Sequence, residues 1–254
     1  MFDQFCYEEY HKLLSIVKAG SKNLTFSDFR NPDIPPSFFI LRHDIDFSLS
    51  AALKMAHFEA ERGIRATYFL LLCSEYYNLL SRGSCNVPQQ LVALGHEVGL
   101  HYDVRVMSER GNTDLNTCLQ YEIDILSGLT GNTIQSIAMH NPSVYGDDPF
   151  ACHNQFINAY DPQFIKDIAY YSDSCGAWRD HAYDAFQRPS IPAKLQLLIH
   201  PFFWADTSGD RSERLNKWID EKRQSLATYQ KKIREMWGSH AGVKEHDSRL
   251  KRFT

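Results

Sequence analysis

The chain has 254 residues, 43% of them hydrophobic and 23% charged, with a formal net charge of -4 at pH 7. That length suits one folded domain with a sizeable core, (β/α) barrels included, and the slightly acidic balance gives no reason to expect a nucleic-acid partner. No apolar stretch approaches the ~18 residues of a membrane span, and the opening MFDQFCYEEYHKLL lacks the basic start and apolar run of a secretory signal, so a cytoplasmic protein with no membrane span is expected.

An N-terminal helical patch gives way to a loop marked by Pro32, Pro35 and Pro36. SFFILRHDID (37–46) then reads as a strand. Strand alternation places Phe38, Ile40, Arg42, Asp44 and Asp46 on one side and Phe39, Leu41, His43 and Ile45 on the other. Two carboxylates sharing a face are costly unless a cation, a proton or a substrate compensates them. An Asp-capped, solvated loop explains the same letters more simply. Leu49, Ala52, Leu53, Ala56 and Ala60 recur at helical spacing, with Gly63 at the stop. RATYFLLL (65–72) predicts a second strand, NVPQQLVALG (86–95) a short helix, and HEVGLH (96–101) a third strand. TDLNTCLQYEIDILSGLTG (113–131) predicts a capped helix. TIQSIAMH (133–140), IAYYSDS (168–174) and LQLLIHP (195–201) predict three further strands, with the long segment 141–167 lying over one face. The last element, about 212–237, is amphipathic through Leu215, Trp218, Ile219, Leu226, Tyr229, Ile233 and Trp237, a stripe that helical periodicity assigns to packing. Residues 238–254 are polar and expected to form a mobile tail of the one domain, 1–254.

Buried strands alternating with helices predict an α/β fold with parallel pairing, either a (β/α) barrel or an open doubly wound sheet. In both, the C-terminal strand ends meet on one rim. Those ends carry Asp44 and Asp46, then His101, His140, Asp173 and His200. Any one histidine is explained as a satisfied core residue; the repeated position is what points to a site. Carboxylate and imidazole ligands suit a divalent metal such as zinc, which lowers the pKa of a bound water toward ~7. The six cysteines are scattered and support no thiolate metal site.

The ordered stretches RHDID, GHEVGLH, MHNPSVYG, SDSCGAW and LLIHP resemble the five motifs of the polysaccharide deacetylase family, also called the NodB-homology or carbohydrate esterase family 4 fold, over about residues 37–204. The resemblance implies a distorted (β/α) barrel of about seven strands and metal-dependent removal of acetyl groups from N-acetylated sugars. By position it implies Asp44 as catalytic base, Asp46 and His101 as metal ligands, His200 as general acid, and Asp173 as the residue tuning that acid. Two departures mark a divergent branch. The family's second metal histidine, four beyond the first, is replaced by Arg105, and the arginine that opens its third motif is replaced by His140.

We expect His140 to supply the missing ligand for one divalent ion, most simply zinc. His96 is the nearest rival, but alternation puts it on the face opposite His101, and His43 fails likewise against Asp46. Arg42 or Arg179 is expected to orient the base, and Arg42, Tyr145, Trp178, Arg179 and Trp204 to line the substrate site. HNPSVYG (140–146) and HPFFW (200–204) form its walls. The expected reaction is removal of an N-acyl group, N-acetyl in the simplest case, from an amino sugar, nucleotide- or lipid-linked, in surface-polysaccharide biosynthesis of the O-antigen type. A metal-free binding or scaffolding protein, or a de-N-formylase or esterase on the same site, are the alternatives.

Overall fold

The computed structural model describes residues 5–109, 114–142, 155–179, 186 and 191–240. The helices are α1 (Tyr7–Lys18), α2 (Leu49–Ala60), α3 (Val87–Ala93), α4 (Val104–Glu109), α5 (Leu115–Thr130), α6 (Pro162–Ile165) and α7 (Arg211–His240). The strands are β1 (Lys22–Leu24), β2 (Phe38–Ile45), β3 (Thr67–Leu71), β4 (Glu97–Tyr102), β5 (Ser136–Met139), β6 (Ile157–Asn158), β7 (Ala169–Ser172) and β8 (Lys194–Ile199). Seven strands run in the order β6-β5-β4-β3-β2-β8-β7, with β1 added against β2, and every pair is parallel. This is the α/β, distorted (β/α) barrel class expected, a curled sheet covered by helices.

Local chemistry sets the element ends. The Ser48 hydroxyl accepts from the Ala51 N–H and starts α2. The Asp114 carboxylate accepts from the N–H groups of Asn116 and Thr117 and starts α5, which Gly131 ends in the left-handed conformation, φ 74°. At Gly99 on β4 a side chain has no room, because a Cβ would collide with the Phe69 ring.

Every residue of β2 is buried, as a strand covered on both faces requires. Phe38 and Ile40 pack inside the curl with Phe69, Ala138 and Phe164. Phe39, Leu41 and Ile45 pack outward with Tyr10 and Leu13 of α1 and Ala52 and Met55 of α2. The alternation therefore carries Arg42 and Asp44 inward, at the C-terminal end, and the register His43↔Ile199 and Leu71↔His101↔Ala138 brings the ends of β2, β8, β4 and β5 side by side.

The barrel lies in the compact unit Met1–Asp210, and Arg211–Thr254 forms a second unit. In the latter, α7 forms over the predicted span and three residues beyond it, and of its apolar stripe Leu215, Leu226, Tyr229, Met236 and Trp237 are exposed while Trp218, Ile219 and Ile233 are half-buried. The end of the predicted tail, 241–254, lies outside the described residues. Among the described residues no helix is long and apolar enough to cross a membrane.

Candidate active site

The strand ends converge as their spacing predicts. Asp46, one residue past β2, directs Oδ1 toward His101 Nε2 at 3.4 Å and His140 Nδ1 at 3.3 Å, and the two ring nitrogens are 3.1 Å apart. A zinc ion bound tetrahedrally at ~2.0–2.1 Å holds its ligand atoms about 3.3 Å from one another. The triangle thus has the dimensions of a site for one small divalent ion.

Hydrogen bonding around the triangle supports the same reading. Asp46 Oδ1 is buried and makes no well-formed hydrogen bond of its own. His101 Nδ1 donates to the Ala138 carbonyl at 2.8 Å, so Nε2 is the ring atom turned to the triangle. The Asn141 amide nitrogen Nδ2 lies 2.9 Å from His140 Nε2 and donates to it; ligation through Nδ1 requires the amide to turn over so that its oxygen accepts Nε2–H instead. Burial alone would raise the Asp46 carboxyl, but the neighbouring His101, His140 and His200 hold it well below the usual carboxylate range. Burial likewise works against a charged His140, yet Asp46 beside it raises its pKa.

Asp44 stands next to this triangle, Oδ2 being 3.7 Å from His101 Nε2. Arg42, fully buried, grips it through Nε and Nη2, both at 2.8 Å, with its guanidinium carbon 4.4 Å from the centre of the Tyr160 ring and 5.4 Å from that of Phe69. Burial pushes the Asp44 carboxyl up, and Arg42, His101 and His200 outweigh it, so Asp44 is held ionised below its ordinary range. A bidentate arginine fixes the plane of the carboxylate and leaves a lone pair on each oxygen.

His200 follows β8 and turns Nε2 to within 4.0 Å of Asp46 Oδ2. Its Nδ1 is 2.7 Å from Asp173 Oδ1, and Asp173 also accepts from the His200 backbone N–H and from Trp204 Nε1 at 2.8 Å. Burial works against a charged His200, but the bond to Asp173 and the charges of Asp173, Asp46 and Asp44 raise it to about 9. A cavity of about 560 Å³ opens over Asp46, His140 and His200; Phe47, Tyr76, Cys73, Asp103, Arg105, Asn141, Ser174, Cys175 and Phe203 also line it.

The predicted substrate contacts divide differently. Arg42 is fully buried and fixes the orientation of the Asp44 carboxylate. Arg179 is exposed, with Nη2 3.4 Å from Cys175 Sγ, and makes no contact with Asp44. Trp204 is buried against Phe5 and Tyr10, its indole N–H committed to Asp173, and Trp178 stacks on Phe5 and meets Phe186 edge-on. Neither tryptophan lines the cavity, so of HPFFW only His200 and Phe203 reach it. Tyr145 falls outside the described residues. Arg105 sits at the cavity rim paired with Asp103 at 3.0 Å, and His96 is closed off by the Ala66 N–H and the Ala56 carbonyl, so neither competes with His140.

Sequence reasoning placed Asn141 only within the 140–146 wall and missed its bond to His140, and it missed the aromatic pair Phe47 and Tyr76, whose rings lie 4.8 Å apart in the cavity lining. Phe47 directly follows Asp46, and that adjacency was the one available signal.

No family model matches the chain, and no curated protein does. The solved structures it resembles include proteins described as belonging to carbohydrate esterase family 4. One is a family 4 pseudoenzyme from Bacillus anthracis, with 14% identity and a TM-score of 0.38 over 77% of this chain and 63% of that one. Another is a family 4 carbohydrate esterase from Bacillus anthracis, with 15% identity and a TM-score of 0.37 over 74% of this chain and 76% of that one. A third, from Bordetella bronchiseptica, is described as a polysaccharide deacetylase involved in O-antigen biosynthesis, with 17% identity and a TM-score of 0.38 over 71% and 79%. The chain spans just under two thirds of the first neighbour's length. Likeness this distant carries no conclusion about chemistry.

Proposed function

We propose that the protein is a metal-dependent hydrolase that removes an N-acyl group, N-acetyl in the first instance, from an amino sugar. The observation that carries this is the triangle of Asp46 Oδ1, His101 Nε2 and His140 Nδ1, 3.1–3.4 Å on a side, with Asp44 and His200 beside it. Three protein ligands leave an open position, and mixed oxygen and nitrogen donors suit zinc. Bound there, the ion would polarise the acyl carbonyl and acidify a water.

The chain's own residues divide the proton work. Asp44, ionised and fixed by Arg42, is the base for the attacking water. His200, kept protonated by Asp173, Asp46 and Asp44, delivers a proton to the departing nitrogen, without which an amine is a poor leaving group. Arg42, fully buried, serves as a positioning residue. Phe47, Tyr76 and Phe203 offer the apolar surface against which a sugar ring packs, in place of the tryptophans. A nucleotide- or lipid-linked amino sugar met in the cytoplasm, as in O-antigen-type biosynthesis, is the substrate class this reading favours.

Metal content tests the reading first. Purified protein should hold about one zinc ion per chain, and His140→Ala should lose it. Acetate or formate release from a panel of nucleotide-linked amino sugars then identifies the acyl group. Protein that stays metal-free after incubation with zinc would support the binding or scaffolding role instead.

A further inference from the structure

The exposed stripe on α7 is left unexplained by the hydrolytic site. At about 100° per residue, Leu215, Trp218, Ile219, Leu226, Tyr229, Ile233, Met236 and Trp237 all fall within an arc of about 100° along the 30-residue helix. Every residue from Asp220 to Lys232 is exposed, and Leu226, Tyr229 and Trp237 are 69%, 64% and 67% accessible. Helices in proteins draw most of their stability from burying such a face, and this one leaves much of its own exposed.

Charge identifies the surface. Between Arg211 and His240 the chain carries eight Lys or Arg against four Asp or Glu, although the protein as a whole is acidic. Lys232 borders the stripe on one side, and Arg223 and Arg234 border it on the other. Lys222 lies within it, 5.3 Å from the centre of the Trp218 ring. The acids Glu213, Asp220, Glu221 and Glu235 all lie further round the helix. Two copies joined along this stripe would set like-charged edges against each other. An anionic lipid surface takes both parts at once, the apolar stripe into the acyl boundary and the basic edges against the headgroups. Tryptophan and tyrosine are the side chains that favour that boundary.

We propose that α7 is an interfacial helix that docks the protein on an anionic lipid surface, lying on the membrane and not crossing it. The proposal is independent of the hydrolytic reading, because none of the stripe belongs to the site. Full-length protein should sediment with vesicles of mixed phosphatidylglycerol and phosphatidylcholine, far less with phosphatidylcholine alone, and less at high salt. Leu226→Glu/Tyr229→Glu should cut the vesicle affinity more than tenfold, and Arg223→Glu/Lys232→Glu by at least about fivefold per charge on the anionic vesicles alone. The zinc content of both variants should match the parent. No sedimentation with anionic vesicles, equal binding to neutral ones, or binding that neither variant weakens would each overturn the proposal. So would a dimer in sedimentation velocity that Leu226→Glu/Tyr229→Glu dissociates while no vesicle binding is seen, since the stripe would then be a seam between copies.

Discussion

Strand β2 carries a cluster of carboxylates and imidazoles on each face. Outward, Glu59 of α2 is fully buried, accepts hydroxyl hydrogen bonds from Tyr10 and from Tyr68 at 2.8 Å, and meets His43 Nε2 at 2.7 Å. His43 Nδ1 is 3.1 Å from the Ile199 carbonyl, and His96, 3.8 Å from Glu59, has both ring nitrogens engaged by backbone. Inward, Asp46 Oδ1, His101 Nε2 and His140 Nδ1 lie 3.1–3.4 Å from one another beside a cavity, and Asp46 Oδ1 is left without a well-formed bond. Residue types and burial are much alike; what differs is whether the polar atoms are spent on each other or converge on a common gap. A closed cluster fastens elements together, and a convergent one waits for a ligand.

The contrast breaks most sharply under substitution of the inner carboxylate that holds no place in the triangle. Asp44→Asn should cut turnover ~10²- to 10⁴-fold, because it removes the proposed base. Zinc content should stay at the parent value, while the unfolding midpoint should fall, because the neutral amide leaves the buried Arg42 guanidinium without its counter-charge. An Asp44→Asn protein with full activity, in an assay shown to report this protein's turnover, would remove Asp44 from the mechanism.

Glu59→Leu sharpens the comparison from the other side. It strands His43, Tyr10 and Tyr68 without their shared acceptor, and breaking a buried pair of this kind costs ~3–5 kcal/mol. The loss should appear as a lower denaturation midpoint with zinc affinity of the remaining folded protein unchanged. Loss of zinc at undiminished stability would mean that the two faces work as one unit.

Period-two alternation explains why so much of the inner cluster is legible in the sequence. Once RHDID is a strand, Asp44 and Asp46 must share a side, and parallel order brings His101, His140 and His200 to the same rim; the register Asp44↔Phe69↔Gly99 then puts His101 on that side. The bidentate Arg42 grip follows from the same rule, since residues two apart on a strand are same-face neighbours, although nothing in the letters chooses Arg42 over Arg179. Other features depend on tertiary context. Strands β1 and β6, three and two residues long, exist because neighbouring edges pair with them. Trp204 stands four residues past the proposed acid and looks like a sugar platform, yet past the strand end alternation no longer says which way a side chain points, and the indole turns back to Asp173. The α7 stripe has the period of a packed helix, and periodicity alone cannot say whether the partner lies within the chain.

The smallest expected effect is a shift in one titration, and it separates the two faces most directly. Without metal, His200 should stay imidazolium until pH rises through about 9, because the hydrogen bond to Asp173 and the three nearby carboxylates outweigh the penalty of burial. Zinc on Asp46, whose Oδ2 is 4.0 Å from His200 Nε2, commits one of those carboxylates and adds positive charge, and both changes disfavour the imidazolium. The His200 pKa should therefore fall on zinc addition, and the rate of a loaded enzyme should decline as pH rises through that lower value, where the leaving nitrogen loses its proton donor. His96, held below the ordinary histidine range chiefly by burial, belongs to the closed cluster and should not respond. Following the imidazole signals by NMR against pH, with and without zinc, reads both at once. Movement of His96 in step with His200, or a His200 curve that zinc leaves in place, would show that the ion sits somewhere other than the Asp46, His101 and His140 triangle.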